Sequence, residues 1–151
     1  MTELIIKNGK VLSEQGQFET RDIFIAGETF STQKSDGEII DAKGRYIIPG
    51  LVDTHFHGCM GFDFCNGTPE ALKEISRYQA ANGVTSICPA TLTLPLDELK
   101  TICVNGAAFE PADNEAQLVG IHLEGPFISS DKIGAQNPKY VKVPDLAFFE
   151  E

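Results

Sequence analysis

The rhythm of the apolar residues changes once along this chain, near Pro49-Gly50, and that change limits the folds open to it. Before it stand short β-type runs, Leu4-Ile5-Ile6, Val11-Leu12, Asp22-Ile23-Phe24-Ile25-Ala26 and Ile39-Ile40. Turn signals separate them at Asn8-Gly9, Gly27 and Ser35-Asp36-Gly37. After it the pattern alternates strand, helix, strand, helix, strand, which favours a parallel sheet. The expected organisation is a β-rich unit over 1–48 and an α/β unit over 49–151. A chain of 151 residues that is 42% hydrophobic can bury a core of that kind.

The punctuation of the second part is specific. Thr68 reads as an N-cap, Pro69 as the first helical residue, Glu70 as a first-turn acid and Asn82-Gly83 as a stop. Leu72, Ile75, Tyr78 and Gln79 recur at helical spacing. Val84 to Cys88 reads as a buried strand ending at Pro89. A second helix fits Leu96 to Phe109, with Leu96, Leu99, Ile102, Cys103 and Ala107 as its stripe and Asn105-Gly106 weakening its last turn. Glu110 to Glu115 is a polar loop. Leu118 to Glu124 reads as a third strand stopped by Gly125-Pro126. No regular element is expected from there to Pro144, where a helix would begin.

Charge and composition exclude several classes. Lysine and arginine total 12 against 22 acidic residues, a net charge of −10, which disfavours nucleic acid. No run of about 18 apolar residues offers a membrane span, and Met1-Thr2-Glu3-Leu4 does not open like a secretory signal, so a cytoplasmic setting is expected. Cys59, Cys65, Cys88 and Cys103 include no C-x-x-C pair and read as reduced thiols. Cys59 alone lies close to a histidine, two residues past His57.

All three histidines fall in two tripeptides, His55-Phe56-His57 and His122-Leu123-Glu124, each followed by glycine. Residues two apart on an extended segment share a face, so Asp53, His55 and His57 share one and His122 and Glu124 another. A divalent metal that activates water needs fixed nitrogen and oxygen ligands and an open position. Ligands of that kind converge at the C-terminal ends of barrel strands. His55, His57 and Glu124 are the ligand candidates. Each follows an apolar run, where burial without a partner would be costly. The alternative for Glu124 is a structural ion pair. His122 is either a hydrogen-bonding neighbour or a ligand or substrate contact, and Asp53 could orient a histidine. Met60, Phe62 and Phe64 read as cavity wall or core. Two histidines and a carboxylate suit zinc first, with iron or manganese also compatible.

Pro49-Gly50-Leu51-Val52-Asp53-Thr54-His55-Phe56-His57-Gly58 resembles the first-strand motif of the amidohydrolase superfamily. The pair Gly120-Ile121-His122-Leu123-Glu124-Gly125-Pro126-Phe127-Ile128 and Gly134-Ala135-Gln136-Asn137-Pro138 resembles the N-acetylglucosamine-6-phosphate deacetylases more narrowly. That resemblance implies an incomplete (β/α)₈ TIM-type barrel, its first three strands, preceded by part of a small β-sandwich. It implies a metal-dependent enzyme hydrolysing the acetamide of a phosphorylated N-acetyl aminosugar, giving acetate and glucosamine 6-phosphate. Glu124 then matches the ligand of one metal and His55 with His57 those of a second. Ala135, Gln136 and Asn137 match a loop lining the substrate site, although some relatives carry histidine at the position of Gln136.

The resemblance also implies missing parts. Two further histidine ligands and a catalytic aspartate would lie beyond residue 151, so this chain alone is expected to be inactive. The full-length protein is expected to form a homo-oligomer. Two alternatives remain: another amidohydrolase acting on a different amide, such as a cyclic one, or a non-catalytic truncated fragment. A cyclic-amide hydrolase would share His55-x-His57 but normally ends a strand on a carboxylated lysine, and no suitable lysine is present.

Overall fold

The computed structural model describes residues 3–33 and 36–150, so Met1, Thr2, Lys34, Ser35 of the expected turn, and Glu151 lie outside it. The backbone divides into two compact units, Met1–Pro49 and Gly50–Glu151.

The first unit is built on β1 (Glu3–Leu12), flanked by β2 (Phe18–Ala26) on one side and by β4 (Glu38–Asp41) and β5 (Tyr46–Ile47) on the other. The short β3 (Thr29–Ser31) extends the sheet beyond β2. Pairing of β1 with β2 is antiparallel, and with β4 and β5 parallel. Ile5, Gly9 and Val11 are the buried residues of β1. The expected turn at Asn8-Gly9 is instead a bulge inside one ten-residue strand. Lys7 and Asn8 together oppose Asp22, and Asn8 takes a left-handed φ of 59°. Asparagine tolerates that backbone, and two carboxylates secure it here. Asn8 N–H donates to Asp22 Oδ1 at 3.3 Å and Asn8 Nδ2 to Asp41 Oδ1 at 3.0 Å.

In the second unit, β6 (Leu51–Asp53) is followed by a hairpin of β7 (Gly58–Cys59) and β8 (Phe62–Asp63), with Met60 at a φ of 55° in its turn. Helix α1 (Pro69–Ala81) starts where its punctuation predicts. Thr68 Oγ1 accepts the Ala71 N–H at 3.2 Å, and Asn82 caps the far end. Its buried face is Ala71, Leu72, Ile75 and Ser76. Tyr78, expected on that stripe, is 42% exposed. Ser76 can be buried because its hydroxyl donates to the Lys73 carbonyl at 3.0 Å.

The chain then forms β9 (Val84–Ile87), β10 (Ala90–Thr91), α2 (Leu96–Ala107), β11 (Gln117–Leu118) and β12 (His122–Leu123). Helix α2 ends two residues before Phe109, and its Ala107 is exposed. Asn105-Gly106 does not weaken its end. Asn105 Nδ2 donates to the Gly67 carbonyl at 2.6 Å, and Gly106 is buried against Ile121 and Leu118. Strands β6, β9 and β11 pair in parallel in the order β11-β9-β6, and β10 pairs in parallel with β12.

The single strand expected from Leu118 to Glu124 is thus two short ladders. Pro89 has no N–H to donate, so the ladder breaks between β9 and β10, and β11 and β12 divide at the same level. Phe64, Leu72, Ile87, Ile102 and Ala116 form the core cluster. After Pro126 come two 3₁₀ turns, Ser130–Lys132 and Pro138–Tyr140, and the five-residue α3 (Leu146–Glu150). Among the described residues, no helix is long and apolar enough to cross a membrane.

Candidate metal centre

Strand β6 ends at Asp53, so His55 and His57 lie just beyond it rather than within a ladder. Three hydrogen bonds keep this segment extended and in place. Asp53 Oδ1 accepts the His55 N–H at 3.1 Å, Ala90 N–H donates to the Phe56 carbonyl at 2.7 Å, and Phe64 N–H donates to the His57 carbonyl at 2.7 Å. The two imidazoles therefore project to one side, their ring centres 5.4 Å apart. Glu124 comes from the far side of β10. Its strand β12 runs parallel to β10, with Ala90 opposite His122 and Thr91 opposite Leu123.

The three side chains meet at one oxygen. Glu124 Oε2 lies 3.1 Å from His57 Nε2 and 3.4 Å from His55 Nε2, and one ligand atom from each residue falls within 4.8 Å of the others. The three residues expected to meet at the strand-end rim form one cluster of donors. His57 Nδ1 sits 3.2 Å from the Ala90 carbonyl, which can only accept. A proton on Nδ1 satisfies that contact, and Nε2 faces Glu124.

Glu124 Oε2, although buried as an atom and close to both rings, has no hydrogen-bond partner. A cation resolves this arrangement. Two donors about 2.1 Å from a tetrahedral ion lie about 3.4 Å apart, close to the two spacings between Glu124 and the histidines. The donor set therefore fits a divalent metal. The side chains of His55, His57 and Glu124 are 48%, 36% and 32% exposed, so the cluster is open to solvent and to a ligand. The apolar run before the histidines does not bury them. Leu51 and Val52 are 51% and 60% exposed because β6 is an edge strand. Convergence of donors, not burial, is what singles the site out.

The other candidate residues take different places. His122 is exposed, with its ring edge against His55 at 4.6 Å between centres, and it stands outside the donor cluster. Asp53 touches no imidazole: its Oδ1 takes the His55 backbone and its Oδ2 the Gln79 amide at 3.5 Å. Gln136 is buried, and its Oε1 accepts the Thr93 N–H at 2.7 Å. Asn137 is exposed and caps its own 3₁₀ turn by accepting the Lys139 N–H, and Ala135 is exposed. Cys59 is outside the donor cluster, and burial raises its thiol pKa. Phe64 is core, whereas Met60 is 69% exposed.

Sequence reasoning missed two parts of the site, the Ala90 carbonyl and Thr93. Neither carries a local signal. A backbone acceptor has no side-chain identity, and a threonine before a helix reads as a cap.

No family model matches the chain. Over 95% of its length it is 30% identical to the N-acetylglucosamine-6-phosphate deacetylase of Lysinibacillus sphaericus, spanning 38% of that protein. Over 97% of its length it is 26% identical to the N-acetylgalactosamine-6-phosphate deacetylase of Escherichia coli O157:H7, spanning 40% of it. Two crystal structures of N-acetylglucosamine-6-phosphate deacetylases superpose on nearly all of it. The one from Pasteurella multocida covers 98% of this chain with a TM-score of 0.86 at 20% identity, and 41% of that protein is matched. The one from Thermotoga maritima covers 97% with a TM-score of 0.80 at 26% identity, and 39% of that protein is matched. The fold is that of part of these deacetylases, a mixed α/β arrangement with an N-terminal β-rich part. Within them, the chain is related to the N-acetylglucosamine-6-phosphate deacetylases and corresponds to their N-terminal portion, as its motifs indicated.

Proposed function

We propose that residues 49–151 form the first three strands of a (β/α)₈ barrel, preceded by a β-sandwich portion over 1–48. We further propose that they supply part of the metal centre of an enzyme that hydrolyses N-acetylglucosamine 6-phosphate to glucosamine 6-phosphate and acetate. The observation that carries this is the convergence of His55 Nε2, His57 Nε2 and Glu124 Oε2 on one point. Those three residues would hold a divalent ion, zinc by the nature of the donors. When bound, such an ion polarises an amide carbonyl and makes water a better nucleophile at neutral pH.

The chain's own residues do the rest of what this region contributes. Asp53 fixes the backbone of His55, and the Ala90 carbonyl accepts a His57 proton carried on Nδ1. His122, exposed beside His55, is placed to meet a polar group of the sugar. The segment Ala135-Gln136-Asn137 would border the substrate, tied to this region by the Gln136 side-chain oxygen, which accepts the Thr93 N–H. The catalytic proton carrier and the phosphate contacts would come from the remaining length of the relatives. The protein would act in the cytoplasm. A second substrate, the galactosamine epimer, is favoured by the Escherichia coli relative, whose name specifies the same acetamide on that sugar.

Two measurements test this. The 151-residue chain is expected to bind zinc and to release no acetate by itself. Absence of zinc binding would overturn the metal centre, and steady turnover would overturn the need for further ligands. A chimera joining residues 1–151 to the remaining length of the Lysinibacillus relative is then expected to release acetate from N-acetylglucosamine 6-phosphate. Loss of release with zinc retained would overturn the substrate.

A further inference from the structure

Thr93 lies between β10 and α2 and is 1% exposed, yet both of its hydrogen-bond donors are used. Its hydroxyl donates to the Glu124 carbonyl at 3.0 Å, and its N–H donates to Gln136 Oε1 at 2.7 Å. The neighbouring Thr91 is a useful contrast. It is equally buried, but its hydroxyl has no hydrogen-bond partner. Burial of a hydroxyl in this segment therefore does not itself produce the bond to Glu124.

Gly125 makes that contact possible. Its φ is +95°, and a Cβ there would lie 2.0 Å from Thr93 Oγ1, so the hydroxyl occupies space that any larger residue would claim. Thr93 thus holds the backbone at the residue whose carboxylate reaches both imidazoles. It also holds the loop whose Gln136 would border the substrate.

We propose that Thr93 is a positioning residue for the metal centre, setting the approach of Glu124 to His55 and His57 through its hydroxyl. The proposal rests on the metal reading of those three residues. Hydrogen bonds that orient a ligand from behind typically change metal affinity tenfold to hundredfold when removed. Thr93→Val keeps the shape and the N–H and removes only the hydroxyl, whereas Thr93→Ser keeps the hydroxyl and removes a methyl.

The test is titration of the 151-residue chain and both variants with cobalt(II), followed by its visible absorption, beside thermal unfolding in chelator. Thr93→Val is expected to bind cobalt about tenfold to hundredfold more weakly with an altered spectrum, and Thr93→Ser within about threefold of the parent. If Thr93→Val is less stable in chelator but binds cobalt like the parent, the hydroxyl is merely structural and the proposal fails. Should Thr93→Val not fold, Thr93→Ala and Thr93→Ser are compared in the same way. Equal weakening in both assigns the effect to packing and overturns the proposal, while Ala weaker than Ser supports it. A parent chain that binds no cobalt overturns the metal reading and this inference together. A parent that binds, with variants that bind equally, overturns this inference alone.

Discussion

The interior of the second unit and its strand-end rim are held in opposite ways. In the interior, Phe64, Leu72, Ile87, Ile102 and Ala116 pack at exposures of 3% or less. What holds them is the area each removes from water together with close packing. At the rim, His55, His57 and Glu124 keep a third to a half of their side-chain surface. There single directed bonds fix position: Asp53 to the His55 N–H, His57 Nδ1 to the Ala90 carbonyl, and Thr93 to the Glu124 carbonyl. Burial adds up over many contacts, whereas one hydrogen bond sets an atom's place with little net gain in stability. Stability should therefore reside in the interior and metal affinity at the rim, and each should be alterable alone.

The largest effect is expected from Ile87→Ala. Ile87 is fully buried, and truncating such a side chain costs about 2–5 kcal/mol through lost burial and the cavity left behind. Urea unfolding in chelator measures it. In the fraction that stays folded, cobalt affinity should change less than about threefold, well below the effect of losing a ligand's hydrogen bond. A loss under about 1 kcal/mol, or a large drop in affinity, would break the division between interior and rim.

Glu124→Gln probes the other side of the comparison and should move affinity rather than stability. Glu124 Oε2 has no hydrogen-bond partner, so replacing the carboxylate by an amide removes a metal donor without breaking a hydrogen bond. The variant is expected to lose cobalt binding by more than about a hundredfold. In chelator it should unfold at the same temperature as the parent or higher, by up to about 1 kcal/mol. A less stable variant would mean that the carboxylate serves as an ion partner of charged imidazoles, the structural alternative for this residue.

How much of this was legible in the sequence follows the same division. Helix α1 was readable to the residue, because Thr68, Pro69 and Asn82-Gly83 act locally on the backbone. The three donor residues were readable because alternation fixes which side chains share a face. Three features were not. The bulge at Asn8 depends on Asp22 and Asp41, which are distant in sequence. The division into β9 with β11 and β10 with β12 depends on Pro89 removing a donor from its neighbour's ladder. Thr93 depends on partners 31 and 43 residues away. Local chemistry is written in local sequence, whereas long-range partners appear only once the fold brings them together.

The smallest expected effect sharpens the interior side, at a residue that packs there while carrying a titratable group. Cys65 lies against the core cluster, and its Sγ accepts the Leu92 N–H at 3.1 Å. Loss of solvation pushes its pKa from 9.0 up to about 11, with the nearby Asp63 charge adding to the rise and the Leu92 N–H opposing it. The fold favours the neutral thiol, so this contribution to stability is fully present below pH 9. It is lost as the pH rises toward about 11, because the unfolded chain releases the proton first. Other groups titrate in the same window, and Cys65→Ala separates them. The parent should lose stability relative to that variant between pH 8 and pH 10.5, by about 1 kcal/mol or less because the thiol keeps some solvent contact. Urea midpoints at the two pH values read the difference. Parallel pH profiles for parent and variant would show that the interior does not penalise charge at Cys65, and the contrast with the solvated rim would then rest on packing alone.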